Sequence, residues 1–279
     1  MTAFPDPAGL VKGTGLSPGS PLQRVLNSEL KRLLKMNEKV KPPERGLAGE
    51  TPFENALRDS VRERGGAVIA EYKQASPTLG PFAAGTPLVP QLQAYRDGGA
   101  AALSILAEPA FFRGDPAHLT QAEPVGLPRL YKGFVIAESQ LAEAAACGAQ
   151  AVLLIARVLK GHTAFFAAAA RSRGLEPLVE LHDLTEIPFA QAAEARLVGI
   201  NARDLSTFTL GEPTAAPLRS AFPEAILIRE SGLATPGDAV AALRAGFDAV
   251  LMGEALMRSP HPSDFLARIF AGLAREGVR

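Results

Sequence analysis

The chain has 279 residues, 47% of them hydrophobic, with 29 basic and 29 acidic side chains and a formal net charge of zero. That is enough for one large core, and it offers no general attraction to nucleic acid or to an anionic membrane surface. A single cysteine, Cys147, rules out an internal disulfide and fits a reducing compartment, so a cytoplasmic location and a structural, non-catalytic thiol are expected.

Residues 1–20 are rich in Gly and Pro, without periodicity, and are expected to be flexible. They carry no leader-like apolar stretch, and the apolar runs elsewhere are strand-sized rather than membrane-sized. From Pro21 to Val40, Leu22, Val25, Leu26, Leu30, Leu33 and Leu34 recur at helical spacing among charged residues, which predicts a helix with one apolar stripe. A second helix is predicted over Pro52–Arg64, with Thr51 as its cap and Glu54 answering three residues on. Residues 21–66 thus form an N-terminal helical segment.

After Gly66 short apolar runs alternate with Ala- and Leu-rich amphipathic stretches. Eight runs predict strands: 67–71, 101–106, 130–132, 151–155, 177–181, 197–200, 225–229 and 249–252. Helical patterns lie between most of them, at 88–97, 139–147, 164–173, 184–195 and 235–245. The runs are continuously apolar, as in parallel strands buried on both faces, and Gly99, Gly148 and Gly246 stand where helix-ending glycines are needed. The pattern predicts a TIM (β/α)8 barrel over 67–279, one domain with the preceding helices.

In such a barrel the strand ends converge on one face, and here they carry the chemically capable side chains. Glu71 and Lys73 follow the first strand two residues apart, on one side of the chain. A shaped Ser-Pro loop with Ser76 comes next. Lys132 and Glu180 end the third and fifth strands, where partial burial is expected to lower the amine pKa and raise the carboxyl pKa, giving an acid and base pair. Asn201 and Arg203 offer directed donors for a hydroxyl or carboxylate. Ser231 and Gly232 after the seventh strand, with Gly253 and Glu254 after the eighth, occupy the usual phosphate position of barrels, although the Glu254 carboxylate must point away from an anion. Each residue also has a plainer reading: a surface ion pair for Glu71 and Lys73, a bridge from Arg203 to Asp204, simple turn glycines at the end. The four histidines show no ligand spacing, so no metal site is expected.

At these residues the chain resembles the indole-3-glycerol phosphate synthase family. The similarity runs from about Phe53 to Arg268 through AEYKQASPTLG, ALSILAEPAFFRG, LPRLYKGF, AVLLIA, LEPLVELHD, LVGINARDLSTF, ESGL and DAVLMGEALM. The resemblance implies a lyase of tryptophan biosynthesis, without a cofactor, whose phosphorylated small-molecule substrate is 1-(2-carboxyphenylamino)-1-deoxyribulose 5-phosphate. It also implies that the N-terminal helices cover the base or rim of the barrel. It casts Lys132 as general acid and Glu180 as base in the dehydration. Lys73 and Arg203 hold the substrate carboxylate, with a proton-donor role for Lys73 also open. Glu71, Asn201, Glu230 and Ser104 orient these groups and the substrate hydroxyls, and Phe134 forms an apolar wall. Phosphate is placed on Ser231, Gly232 and Gly253.

Three family positions differ: Gly133 stands for Asp, Ala202 for Asn and Leu79 for Lys. An active enzyme with altered lysine pKa values is the expectation. A free-standing monomer or weak homodimer is expected, with no nucleic-acid or membrane partner. Another ribulose-phosphate isomerase barrel and a non-catalytic phosphometabolite-binding barrel are the competing readings.

Overall fold

A computed structural model describes residues 3–35, 51–77, 79–203, 211 and 213–274. Eight parallel strands close into a barrel: β1 (Ala67–Tyr72), β2 (Ala102–Leu106), β3 (Arg129–Lys132), β4 (Ala151–Ile155), β5 (Glu176–Leu181), β6 (Leu197–Asn201), β7 (Ile226–Glu230) and β8 (Ala249–Met252). Each pairs with its sequence neighbours, and β1 pairs with β8 in the register Ala67 to Ala249. All eight runs expected from the sequence are present, within one residue at each end. Almost every strand residue is buried, which is why these strands lack polar alternation. Gly99, Gly148 and Gly246 all have positive φ, the conformation that turns a helix end into the next strand without a Cβ penalty. The expected 184–195 helix divides into a 3-10 turn, Leu184–Glu186, and an α-helix, Ile187–Ala192. A long terminal helix, Pro262–Ala274, was not anticipated.

Among the described residues three helices precede the barrel: α1 (Pro7–Gly13), α2 (Pro21–Leu33) and α3 (Pro52–Arg64). The first corrects the expectation for residues 1–20. Asp6 caps it through the Ala8 and Gly9 amides, Pro7 fits its first turn, and Leu10 and Val11 are buried. Phe4 adds edge-to-face contacts with Phe165 and Phe166, at 4.7 and 5.4 Å between ring centroids. These few apolar anchors outweigh the Gly and Pro content around them.

In α2 the stripe Leu22, Val25 and Leu26 is buried as expected, but Leu34, the C-cap just past the helix end at Leu33, is 88% exposed. The remainder of the predicted helix, 36–40, lies outside the described residues. On the same helix Glu29 is buried, where Arg32 and Gln140 meet it at 3.1 and 2.8 Å. Arg32 continues to Glu143 at 2.9 Å, and Gln140 to the Phe134 carbonyl, tying α2 to the chain just after β3. Thr51 caps α3 through the Glu54 amide at 3.1 Å. The Glu54 carboxylate does not answer it but binds Arg58 and Arg196 at 2.8 Å each. Arg196 precedes β6, and Arg58 also reaches the Glu224 carbonyl ahead of β7, so α3 closes the base of the barrel while α2 sits toward its rim.

Candidate active site

The strand ends open into a cavity of about 580 Å³, within the range of small-molecule sites. Glu71, Lys73, Ser76, Lys132, Phe134, Glu180, Asn201, Arg203, Glu230, Ser231, Gly232, Gly253 and Glu254 all line it. Ser104 does not. It is fully buried on β2, opposite Glu71 in the strand register, and its hydroxyl donates to Glu71 Oε2 at 3.2 Å. The expectation that it binds substrate is corrected: it holds the carboxylate that faces the cavity.

At the centre Lys132 Nζ lies 3.1 Å from Glu180 Oε2 and also contacts Glu230 Oε2. All three side chains are nearly inaccessible, the lysine being 13% exposed and the carboxylates 2%. Burial penalises the ammonium, but attraction to Glu180, Glu230 and Glu71 outweighs that penalty and holds the amine well above its ordinary value. Burial also works to raise Glu180, yet Lys132, His182 and hydrogen bonds from Glu230 and Lys132 bring it below the usual carboxylate range. The directions are the reverse of those expected from desolvation alone, because opposite charges stand in contact. Glu230 is the group that moves up: burial raises it, Lys132 pulls it back, and the neighbouring Glu180 charge adds to the rise. The two carboxylates facing one ammonium thus divide: Glu180 favours its ionised form and Glu230 its protonated one. These directions favour a protonated lysine beside an ionised glutamate, in contact at 3.1 Å.

Room for these carboxylates comes from two glycines. A β-carbon on Gly199 would strike Glu230 Oε1 and its carboxyl carbon, and one on Gly253 would lie 2.5 Å from Glu71 Oε1. Glu71 in turn pairs with Lys73 at 2.9 Å, an ion pair on the cavity wall rather than on the outer surface. The Arg203 amide donates to Asn201 Oδ1 at 3.0 Å, which fixes that amide side chain at the mouth. Asp204, its suggested partner, lies outside the described residues.

Ser231 and Gly232 both have positive φ, at 63° and 73°, which turns the backbone sharply after β7. The Glu254 carboxylate is drawn to Arg258 at 3.1 Å, along its own helix, Glu254–Arg258. After β1 a short ribbon pairs Ala75–Ser76 with Gly80–Pro81, and Ser76 Oγ accepts from the Leu79 amide at 3.2 Å, so this loop is shaped although Thr78 lies outside the described residues.

Sequence reasoning missed Phe112, which stands 5.9 Å from Phe134 between ring centroids and completes an apolar wall. Glu108 places it by accepting from the amides of Ala110, Phe111 and Phe112. The signal was an apolar pair in a segment just past a strand end. His182 was missed as well; its side chain is 1% exposed, against Glu180. Among the described residues no group of His, Cys, Asp and Glu could hold a metal ion, and no helix is long and apolar enough to cross a membrane.

A closed (β/α)8 barrel with a lysine and three glutamates at its strand ends defines a barrel enzyme with an acid–base site for a small polar molecule. The model of the indole-3-glycerol phosphate synthase family matches residues 22–269, and the chain belongs to that family. It is 41% identical over 230 residues to indole-3-glycerol phosphate synthase 2 of Ralstonia nicotianae, covering 80% of this chain and 82% of that one. It is also 36% identical over 257 residues to the indole-3-glycerol phosphate synthase of Lactiplantibacillus plantarum, covering 90% and 98%. A third relative, indole-3-glycerol phosphate synthase 2 of Streptomyces coelicolor, is 41% identical over 219 residues, or 77% of this chain and 85% of the other.

Proposed function

We propose that the protein is an indole-3-glycerol phosphate synthase, a carboxy-lyase that closes the indole ring of 1-(2-carboxyphenylamino)-1-deoxyribulose 5-phosphate. The observation that carries the reading is the Lys132 ammonium held between Glu180 and Glu230 at the mouth of the barrel. In the first step the ring carbon bearing the carboxylate attacks the ketone carbon. The carbonyl π electrons move to oxygen, which takes a proton from Lys132. The carbon–carboxylate bond then breaks, CO2 leaves, and its electron pair restores the aromatic ring. In the last step Glu180 removes a proton from the carbon beside nitrogen as the hydroxyl leaves with a proton from a lysine, giving water and the indole double bond.

Phe112 and Phe134 suit the flat face of the aminobenzoate ring. Lys73 and Arg203 supply cations for its carboxylate. The phosphate is assigned to the backbone around Ser231, Gly232 and Gly253, with Glu254 kept aside by Arg258. Asn201, Glu71 and Glu230 orient the lysines and the ribulose hydroxyls, Ser76 the loop above them.

Fluorescence-monitored turnover of this substrate by the purified protein tests the reading. Indole fluorescence from wild type, lost or reduced at least about a hundredfold in Lys132→Ala and Glu180→Gln, is the expected result. Binding of the substrate without turnover by wild type would overturn it in favour of a binding barrel.

A further inference from the structure

Glu180 uses Oε2 to meet Lys132, and its other oxygen faces an imidazole. His182 Nε2 stands 3.3 Å from Glu180 Oε1, while Nδ1 is 4.0 Å from Glu186 Oε2. The ring is 1% exposed, and neither nitrogen makes a fully aligned hydrogen bond in the resting site. The segment after β5 is clamped around it. Glu186 Oε2 accepts from the His182 amide at 2.9 Å, Glu186 Oε1 accepts from Arg157 Nε at 2.8 Å, and Arg157 reaches on to Asp183 at 2.6 Å.

We propose that His182 is a positioning residue for Glu180: as the neutral Nε2–H tautomer it donates to Oε1 and so aims Oε2 at the cavity. Four charged groups face or approach the ring, and they divide by sign. Glu180 and Glu186 favour a cation; Lys132 and Arg157 oppose one, and so does burial, the largest influence. A neutral ring has one N–H to place. Glu186 already accepts from Arg157 and from a backbone amide, whereas Glu180 Oε1 is the nearer acceptor, which selects the Nε2–H form. The small rotation needed to align this bond is of the kind that accompanies substrate binding.

The kinetic consequence rests on the synthase reading; the tautomer does not. Without the His182 donor, Oε1 loses its partner, Glu180 takes up a proton more readily, and the dehydration base is neutralised over a wider range of pH. Glutamine carries a donor at the distance of Nε2, and asparagine at that of Nδ1. His182→Gln is therefore expected to keep kcat within about threefold of wild type. His182→Asn and His182→Phe are expected to lose roughly 10- to 100-fold in kcat with KM little changed, the scale of a misplaced catalytic group, and to move the acidic limb of the kcat–pH profile upward.

The decisive experiment pairs these profiles with 15N NMR of histidine-labelled wild type, the His182 signal being the one missing in His182→Gln. A neutral Nε2–H tautomer near pH 7 with glutamine rescue supports the proposal. A Nδ1–H tautomer or an imidazolium overturns it, as does equal impairment of all three variants with an unmoved pH profile. The NMR readout needs no turnover, so failure of the synthase reading and failure of this assignment are seen separately.

Discussion

Gly133 stands beside the central lysine where the family resemblance implies an aspartate, and the structure shows what occupies the space. A β-carbon there would lie 2.6 Å from Tyr131 Cε1. The tyrosine has little freedom to yield: it is fully buried, and its hydroxyl donates to Glu143 at 2.6 Å with Arg32 3.4 Å away. Overpacking of this kind costs about 1–3 kcal/mol. The stiffer unfolded chain of an alanine variant returns about 0.4–1 kcal/mol. Gly133→Ala is therefore expected to lose about 1–2 kcal/mol net, or roughly 2–8 °C in Tm. Gly133→Asp places a carboxylate at a buried position and should lose a further ~1–3 kcal/mol. Its pH–rate profile would then report displacement of the tyrosine as much as return of a tuning group. The assay is a double-mutant cycle read by thermal and urea unfolding. In a Tyr131→Leu background, which removes the ring, the cost of Gly133→Ala should shrink by about 1 kcal/mol. If Gly133→Ala is as stable as wild type, or costs the same in both backgrounds, the tyrosine does not fill that space and the reasoning fails.

Two more outcomes are expected from the site. Gly199→Ala drives a methyl group into the Glu230 carboxylate; turnover is expected to fall by roughly a hundredfold, as for other misplaced groups, while the variant still folds, which circular dichroism checks. For Glu230, whose folded pKa is raised from 4.5 to about 8, the folded state binds the extra proton, so its contribution to stability is complete below pH 4.5 and declines as pH rises through 8. Glu230→Gln removes that decline, and its unfolding midpoint should fall less than that of wild type between pH 5.5 and 8.5; parallel curves would show that another group carries the proton.

Much of this was legible in the sequence, for reasons visible at particular residues. The strands were readable because runs such as AVLLI are buried on both faces, so hydropathy alone marks them. The charged side chains that line the cavity were readable because charged residues that end such runs have few places to point except the mouth. Local rules failed where a few long-range contacts decide. Phe4, Leu10 and Val11 order α1 against Phe165, Phe166 and the core, and no window of 20 residues contains both sides of that contact. The pKa directions failed for the same reason. Desolvation belongs to a single residue, but the Lys132–Glu180–Glu230 contact joins three strands. The family resemblance alone makes Ser104 a pocket residue, and only the packing shows it fully buried behind the Glu71 carboxylate.

The two glycines beneath the carboxylates mean that the site is partly made of absent atoms. A library or a homologue that kept every acidic and basic group here, but carried alanine at 199 and 253, would pass any inventory of functional side chains and still be unable to seat Glu230 and Glu71. Inheritance of activity in this barrel therefore has to be traced through positions that have no side-chain chemistry of their own to reveal them.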